Sequence, residues 1–276
     1  MTLCYLDGNY LPLSEAKVSV MDRGFLFGDG VYEVIPVLHR RPLALQEHML
    51  RLTKSLAAIG MANPLSLAQW QGVIEALMHD AQDTHLSVYV QVTRGAYDVR
   101  NHQVPDDVTP TVFVAAFPLT WPSPLHQGIR VVATEDQRWS NCHIKAITLL
   151  PNVMAKYAAK QAGTVDAILV RDGYAVEGTS SNLFIVKQGR VFTPPLTANI
   201  LHGITRGIVI NLLKEIGIPY TETMIMREAV YDADEVWFTN STAGIIPIIE
   251  IDGRPISDGK PGACWRLVFE RYEERV

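Results

Sequence analysis

Short segments in which apolar and polar residues alternate predict a β-sheet in the N-terminal part of the chain. Residues 86–93 alternate with a period of two, which predicts a strand with one strongly apolar face. Residues 111–117 are apolar on both sides and predict a central strand. The same reasoning predicts a hairpin, with strands at residues 4–6 and 10–13 on either side of the turn Asp7-Gly8. A further strand is predicted at residues 31–38, after a loop at 22–30 that contains several glycines.

Two helices are predicted between these strands because apolar residues recur every three or four positions. Residues 46–59 place Leu52 and Leu56 on one face, and Gly60 fits the left-handed position that ends a helix. The stretch Ser66-Leu67-Ala68-Gln69 has the pattern of a capping box, which predicts a second helix from there to about residue 78.

Three prolines within residues 118–124 interrupt both patterns and predict a boundary between two domains. We expect a smaller N-terminal α/β domain at 1–117, a linker at 118–127 and a larger C-terminal domain at 128–276 that carries Lys145. Strands and helices are mixed in both parts, which indicates an α+β fold.

The C-terminal part is predicted to be equally rich in both kinds of element. Helices are expected at 152–162, from Gly203 to Ile216-Gly217, and around Trp265, Val268 and Tyr272. Four successive strands are expected to form a meander, at 167–170, 175–177, 182–186 and 190–193. Other strands are expected at 129–134, 220–223, 235–239 and 245–251.

Composition narrows the possible functions. Hydrophobic residues make up 48% and charged residues 19%, as in ordinary globular proteins. A net charge of -5 without a basic stripe argues against nucleic acid, and no apolar run reaches the roughly 18 residues of a membrane span. Three cysteines without CxxC spacing predict reduced thiols and no metal site. Because the N-terminus lacks the features of a signal peptide, we expect a cytoplasmic protein.

Lys145 is the first candidate for chemistry, because it lies in a mostly apolar run from Ile144 to Leu150. Burial disfavours a charged amine and lowers its pKa, which prepares a lysine for Schiff-base chemistry. The alternative is a core lysine whose side chain extends to the surface.

Three further stretches are candidate anion sites. Gly203-Ile204-Thr205 stands at a predicted helix start, where backbone N–H groups attract phosphate. Ser241 follows a strand and offers a hydroxyl, and Arg51 lies next to the apolar stripe of its helix, where it could bind a phosphate with two hydrogen bonds. Taken alone, such features are more often an ordinary helix cap, a turn or a solvated helix charge.

Taken together and in this order, these motifs resemble one family. The pattern HxxRL ending at Leu52, the lysine, the stretch Glu177-Gly178-Thr179-Ser180-Ser181-Asn182 and the glycine-led helix start resemble the fold type IV pyridoxal-phosphate enzymes, the class IV aminotransferases. Within that family the chain is most similar to the members that act on D-amino acids. The matching stretches are 22–24, 27–33, 91–95 and 203–206.

The resemblance implies a role for each cofactor-binding candidate. Lys145 would attach pyridoxal 5′-phosphate as a Schiff base and then move the substrate proton. Glu177 would bond the pyridine nitrogen and keep it protonated. Leu201 would pack against the face of the ring, and the phosphate would be held by Arg51, Ile204, Thr205 and Ser241.

The resemblance also implies a binding site for the substrate carboxylate. In the D-amino acid enzymes a tyrosine, an arginine and a histidine bind this group, and here they match Tyr32, Arg100 and His102. The arginine and histidine come from the neighbouring subunit of a homodimer, so a homodimer acting on D-amino acids and 2-oxo acids is expected. Two features depart from the pattern: the loop at 96–99 is one residue longer, and Thr179 stands where serine is common.

Other activities stay open on the same residues. Aminodeoxychorismate lyases share the fold and the lysine but eliminate pyruvate. Branched-chain L-aminotransferases and (R)-amine transaminases share the scaffold without an Arg/His pair at this loop. A protein that binds the cofactor without turnover is a further alternative, against which the intact Lys145 and Glu177 argue.

Overall fold

In the computed structural model, which describes residues 2–276, the chain separates into two units by its internal contacts. The first unit runs to Thr120 and includes Ile144–Thr148, and the second consists of Trp121–His143 and Leu149–Val276. The sequence assigned Lys145 to the C-terminal domain, whereas its segment clusters with the first unit. The two predicted domains, 1–117 and 128–276, stay a prediction about independent folding.

The first unit contains a six-stranded antiparallel sheet and three helices. The strands follow one another in the order β2-β1-β6-β5-β3-β4. Their bounds are β1 Leu3–Leu6, β2 Asn9–Pro12, β3 Gly30–Leu38, β4 Arg41–Pro42, β5 Leu86–Thr93 and β6 Thr111–Pro118. The helices are α1 Arg23–Phe27, α2 Leu45–Ala58 and α3 Leu67–Asp80, and a 3-10 turn lies at Leu13–Glu15.

The predicted patterns account for how this unit packs. Val88, Val90 and Val92 of β5 are buried at alternate positions, and they belong to one apolar core with the inner faces of α2 and α3. The central position expected of residues 111–117 is confirmed, since β6 has a neighbour on each side. The capping box is also confirmed at the start of α3, because the side chains of Ser66 and Gln69 each accept a hydrogen bond from the backbone amide of the other residue.

The loop predicted at residues 22–30 is wrong in part, because it contains α1. Asp22 caps this short helix by accepting a hydrogen bond from the Gly24 amide at 2.7 Å. Gly28 ends it in the left-handed conformation with φ of 67°. A helix of five residues is too short to leave an apolar period in the sequence.

The second unit contains a ten-stranded mixed sheet and four helices. Along the sheet the strands run β12-β11-β10-β14-β15-β7-β8-β9-β13, and β16 pairs with β15. The strands are β7 Ile129–Glu135, β8 Asp166–Arg171, β9 Tyr174–Gly178, β10 Asn182–Lys187, β11 Arg190–Thr193, β12 Tyr220–Glu222, β13 Ile225–Met226, β14 Glu235–Asn240, β15 Gly244–Ile251 and β16 Arg254–Pro255. The helices are α4 Leu150–Gln161, α5 Ile204–Glu215, α6 Arg227–Tyr231 and α7 Ala263–Glu273, and a 3-10 turn lies at Pro124–Gln127.

The predicted meander is wrong at one step. β9 and β10 pair only at Glu177 and Asn182, and β10 pairs along most of its length with β14 instead. As a result, the end of β9, the start of β10 and the end of β14 lie at one edge of this sheet. Residues far apart in sequence, including Glu177 and Asn240, are therefore close neighbours of the β10 start.

The mixture of helices with largely antiparallel sheets confirms the α+β class. Within residues 2–276, no helix combines the length and the apolar character needed to cross a membrane.

Gly178, which follows Glu177, gives a test of packing at this edge. A Cβ placed on Gly178 would lie 2.8 Å from Cζ of Phe238, a ring that is fully buried in β14 and cannot move aside. We expect Gly178→Ala to lower the free energy of unfolding by about 1–3 kcal/mol in urea titrations. Gly207→Ala in α5 is the matched control, because its Cβ would meet no atom within 4 Å. That variant should gain about 0.5–1 kcal/mol; equal effects of the two substitutions would contradict this account.

Candidate active site

Lys145 is fixed against the start of β3 by backbone hydrogen bonds. The Tyr32 amide donates to the Lys145 carbonyl oxygen at 3.0 Å, and the Ile147 amide donates to that of Gly30 at 3.1 Å. The Lys145 amide donates to Ser55 Oγ at 3.2 Å. The side chain is half-buried rather than buried, and Nζ lies over the Tyr32 ring, 4.3 Å from its centroid. Since the face of an aromatic ring attracts a cation, Lys145 and Tyr32 form one structural group.

Tyr89 of the adjacent strand β5 extends this aromatic surface. Its ring lies 5.8 Å from that of Tyr32, centroid to centroid, and its hydroxyl donates to Gln91 Oε1 at 2.6 Å. Burial, with a smaller contribution from Tyr32, raises the pKa of Tyr89 to about 12. The Tyr89 hydroxyl is therefore a neutral hydrogen-bond donor at physiological pH.

Glu33, next to Tyr32 in β3, is fully buried on the core side of the sheet. Arg51 donates from Nε to Oε1 and from Nη2 to Oε2, both at 2.7 Å, and His48 Nδ1 lies 2.8 Å from Oε2. Burial alone would raise the pKa of Glu33, but the charge and hydrogen bonds of Arg51, assisted by His48, lower it to about 2. Burial lowers the pKa of His48. Glu33 is thus an ionised carboxylate that orients Arg51.

The alternative view of Arg51 as a solvated helix charge is wrong. Only 7% of its surface is exposed, and two of its nitrogens bond the carboxylate of Glu33. Whether its guanidinium also binds a phosphate stays a prediction.

Arg100 and His102 are exposed on the loop between β5 and β6. Both lie beside Phe27 of α1: Arg100 Cζ is 5.1 Å from the centroid of the Phe27 ring, and the His102 ring centroid is 5.2 Å from it. The structure thus brings the two predicted carboxylate-binding residues together around one aromatic ring.

In the second unit, Glu177 is buried, with 3% of its surface exposed, and it is surrounded by donors. Arg138 donates from Nη1 to Oε1, Asn182 donates from Nδ2 to Oε2 at 3.0 Å, and the Leu201 amide donates to Oε2 at 3.2 Å. Burial raises the pKa of Glu177 to about 7, against the opposing charge and hydrogen bond of Arg138. Glu177 is therefore in direct contact with the backbone of Leu201.

Arg138 connects Glu177 to a second buried carboxylate, that of Asp136. Its Nε and Nη2 donate to the two carboxylate oxygens of Asp136 at 2.8 and 2.9 Å, and Arg171 Nη2 also lies 2.9 Å from Oδ2. Burial opposes the charge of Arg138, but its hydrogen bonds to Asp136 and the charges of both carboxylates outweigh burial and raise its pKa. A charged guanidinium therefore lies against Glu177, and turning away would break its ion pairs with both Glu177 and Asp136.

Asn182 joins Glu177 to the start of α5. Its Nδ2 also donates to the Leu201 carbonyl oxygen at 2.8 Å, and its Oδ1 would lie 1.9 Å from a Cβ placed on Gly203. Gly203 precedes Ile204, the first residue of α5, and makes no side-chain cap. The close approach of Asn182 explains why a glycine stands there.

Ser241 lies in the turn between β14 and β15, where Asn240 fixes the backbone. Asn240 Oδ1 accepts hydrogen bonds from the amides of Thr242 and Ala243 at 3.1 and 2.8 Å, and its Nδ2 donates to Ser181 Oγ at 3.2 Å. Because Ser181 precedes Asn182, this turn lies at the same edge of the sheet as Glu177.

Comparison with known proteins assigns this chain to a family. Residues 30–251 match the amino-transferase class IV family. The chain belongs to that family.

Class IV aminotransferases resemble the chain over its whole length. It is 41% identical to D-alanine aminotransferase of Bacillus licheniformis, over 98% of this chain and 95% of the relative. Among solved structures, branched-chain aminotransferase of Thermoproteus uzoniensis superposes with a TM-score of 0.92 at 30% identity, over 99% of this chain and 94% of the other. Branched-chain amino acid aminotransferase of Escherichia coli superposes with a TM-score of 0.92 at 28% identity, over 99% and 93%. The predicted fold type IV is confirmed.

Class IV aminotransferases use pyridoxal 5′-phosphate, and the predicted cofactor is confirmed for this transferase. A further branched-chain aminotransferase, which superposes with a TM-score of 0.91 at 28% identity, has been solved with pyridoxamine 5′-phosphate. The residues of this chain fit pyridoxal 5′-phosphate chemically. The Lys145 amine would react with its aldehyde, the buried carboxyl of Glu177 would bond its ring nitrogen, and the start of α5, which has no side-chain cap, would hold its phosphate.

Sequence reasoning gave no role to Glu33, Arg138 or Asn182. A signal existed for Glu33: it occupies an inward-facing position of an apolar strand, while His48 and Arg51 are spaced by three on the inner face of α2. Arg138 gave no signal, because its partner Glu177 lies 39 positions away in sequence.

The pH dependence of stability in a Glu33→Gln variant tests the buried ion pair between Glu33 and Arg51. The pKa of Glu33 lies near 2 in the folded protein and at 4.5 ordinarily, so its ionisation stabilises the fold above about pH 4.5, and this contribution is lost as pH falls towards 2. We expect Glu33→Gln to be less stable than wild type by about 3 kcal/mol at pH 7. The difference should shrink as pH falls below about 4.5 in urea titrations.

Glu75→Gln is the matched control, because Glu75 is exposed on α3. Its effect should stay within about 0.5 kcal/mol. A Glu33→Gln deficit that stays constant from pH 7 to the acid limit of folding would contradict the assignment of an ionised, stabilising carboxylate.

Proposed function

We propose that this chain exchanges amino groups between D-amino acids, such as D-alanine and D-glutamate, and 2-oxo acids such as 2-oxoglutarate, as a homodimer. The observation that carries the proposal is its full-length similarity, at 41% identity, to a D-alanine aminotransferase. A cytoplasmic location is part of the proposal and is supported by three free cysteines.

Lys145 is proposed to hold the cofactor covalently and to move the proton at the substrate Cα. Pyridoxal 5′-phosphate supplies a ring that withdraws electrons from that carbon. The backbone bonds to β3 and to Ser55 support this role, because they fix the point from which the flexible side chain reaches. A general base must lie within hydrogen-bond distance of the proton that it moves.

Glu177 is proposed to accept a hydrogen bond from the protonated ring nitrogen. Its carboxylate is held in place by Arg138, Asn182 and the Leu201 amide. Since burial opposes its ionisation, the charge of Arg138 supports the carboxylate form that this role requires. Leu201, which is bonded to Glu177 through its backbone, is proposed to pack against the face of the ring.

Arg51, Ile204, Thr205 and Ser241 are proposed to hold the phosphate. The amides at the start of α5 suit an anion, because the first N–H groups of a helix have no partner within it and the helix dipole adds positive charge. Arg51 suits it because Glu33 fixes the plane of its guanidinium.

Tyr32, Arg100 and His102 are proposed to bind the substrate carboxylate, with Arg100 and His102 supplied by the neighbouring subunit. The exposure of these two side chains is compatible with reaching a second chain. A dimer is supported by α4, which exposes Leu150, Val153, Met154 and Tyr157 along one face. Exposed apolar patches of this kind mark interfaces, and we assign this one to a second copy of the chain.

Mixed dimers test the shared site. Lys145→Ala is expected to abolish cofactor attachment and turnover, and Arg100→Ala to raise KM for D-alanine strongly. A mixed dimer contains one Lys145→Ala chain and one Arg100→Ala chain, and it can be isolated by co-expressing the two variants with different tags. One of its two sites would combine the intact Lys145 of one chain with the intact Arg100 of the other. Such dimers should therefore recover about half of the wild-type activity at low substrate concentration. If both residues act within one chain, no mixed dimer recovers activity, and the shared site is excluded.

The substrate class is tested by half-reaction spectra of the pyridoxal 5′-phosphate-loaded enzyme with matched D- and L-amino acids. D-alanine is expected to convert the cofactor from its pyridoxal form to its pyridoxamine form. With 2-oxoglutarate present, D-alanine should yield pyruvate. L-alanine and L-leucine should not react. Conversion by the L-enantiomers alone would favour a branched-chain type activity, to which the solved structures with a TM-score of 0.92 belong. Formation of 4-aminobenzoate from aminodeoxychorismate would indicate the lyase instead.

A further inference from the structure

We propose that Arg23 is a positioning residue for the substrate carboxylate, because it holds the backbone of the loop that carries Arg100 and His102. The inference rests on the proposed function of those two residues. Arg23 lies in α1 and acts on this loop through its side chain.

The guanidinium of Arg23 donates to three successive carbonyl groups of this loop. Nη1 lies 2.7 Å from the Asn101 oxygen and 3.3 Å from that of Gln103, and Nη2 lies 3.3 Å from that of His102. The loop is irregular between the end of β5 and the start of β6. With neither ladder nor helix bonds to order them, these carbonyl groups depend on a side chain, and a guanidinium has enough donors to bond three of them.

Arg23 is itself rigid, because it is buried and paired. Only 5% of its surface is exposed, and its Nε donates to Asp29 Oδ2 at 2.9 Å. Arg94 bonds both oxygens of Asp29, at 2.8 and 3.0 Å, and its Nη2 also donates to the Ile59 carbonyl oxygen at 2.7 Å. The anchor of the loop therefore belongs to a network that reaches β5 and α2.

Asp22, the cap of α1, ties this helix to both ends of the loop. Its Oδ2 accepts from the hydroxyl of Thr93 at 2.9 Å and from that of Thr111 at 2.7 Å. Thr93 is the last residue of β5 and Thr111 the first of β6. Since α1 is fixed to both strands, Arg23 holds the middle of the loop relative to its ends.

Phe27 lies one turn after Arg23 in α1. Its ring contacts the side chains of Arg100 and His102, whereas Arg23 bonds the backbone of their loop. Its ring lies 4.9 Å from Arg23 Cζ, 5.1 Å from Arg100 Cζ and 5.2 Å from the His102 ring centroid. Both groups proposed to bind the carboxylate therefore lie against one ring that α1 presents. Loss of the Arg23 contacts should let the loop move and separate them.

Arg23→Lys in the pyridoxal 5′-phosphate-loaded enzyme tests the proposal. We expect KM for D-alanine to rise at least about tenfold, because a lysine cannot bond three carbonyl groups from one position. The affinity for cofactor and kcat should change little. Hydrogen exchange of the amides at 100–104 should become faster, which reports the loop directly.

Arg40→Lys is the matched control. Arg40 also donates to three carbonyl oxygens, those of Met78, Ala81 and Asp83, but these lie in the last turn of α3 and in the segment that follows it. It should leave KM for D-alanine unchanged. If Arg23→Lys does not fold, Arg23→Gln serves in its place, because its single amide group donates hydrogen bonds but cannot reach three carbonyl oxygens. A rise in KM is again expected, and an unchanged KM would overturn the inference.

The double variant Arg23→Lys/Arg100→Ala separates positioning from general damage. If Arg23 acts through Arg100 and His102, its substitution should raise the KM of Arg100→Ala by much less than it raises the KM of wild type, because only its effect through His102 is left. An unchanged KM in Arg23→Lys, or effects that simply add, would overturn the inference while leaving the function of Arg100 intact. An unchanged KM in Arg100→Ala would instead overturn the proposed carboxylate site, and the inference with it.

Discussion

Pairing of carboxylates with arginines is the constraint on which the candidate residues depend. The buried carboxylate of Glu33 is held by Arg51, those of Asp136 and Glu177 by Arg138, and the half-buried Asp29 by Arg23 and Arg94. Removing the arginine from a buried pair leaves a charge without compensation, which costs about 3–5 kcal/mol. A buried pair gains little over well-packed apolar residues, so we infer that these pairs are kept for the orientation that they impose.

The two faces of β3 show how the pairs and the sheet act together. Successive side chains of a strand point to opposite faces, so Tyr32 and Glu33 necessarily serve different surroundings. Glu33 faces the core and fixes Arg51, while Tyr32 lies under the amine of Lys145. One short stretch of strand therefore supports an anion-binding candidate on one side and Lys145, the proposed cofactor lysine, on the other. A shift of register by one residue would exchange both at once.

Elements that carry their own local signal could be predicted from the sequence, and elements fixed by distant contacts could not. The alternation in 86–93 and the capping box at Ser66 were read correctly because they depend on neighbours in sequence. The partner of β10 is β14, and the segment with Lys145 clusters with the first unit through its bonds to β3; neither pairing leaves a mark on the local pattern. Lys145 and the glycine-led helix start became candidates through their local patterns and Glu177 through resemblance, whereas Arg138 and Arg23 needed the structure.

The similar proteins show that the fold of this chain does not by itself determine which amino acids an enzyme accepts. A branched-chain aminotransferase superposes on the chain with a TM-score of 0.92 at 30% identity, while the relative at 41% identity is a D-alanine aminotransferase. Since the same fold serves both classes, the choice between D- and L-amino acids must lie in residues that the fold leaves free to vary. The loop that carries Arg100 and His102 is such a place, because it lies outside the strand ladders. Asp22 ties the two ends of this loop to α1 and Arg23 holds its middle, so the loop and α1 form one connected structure. Substrate preference in this chain should therefore follow changes in this loop and in α1 more closely than changes in the sheet beneath them.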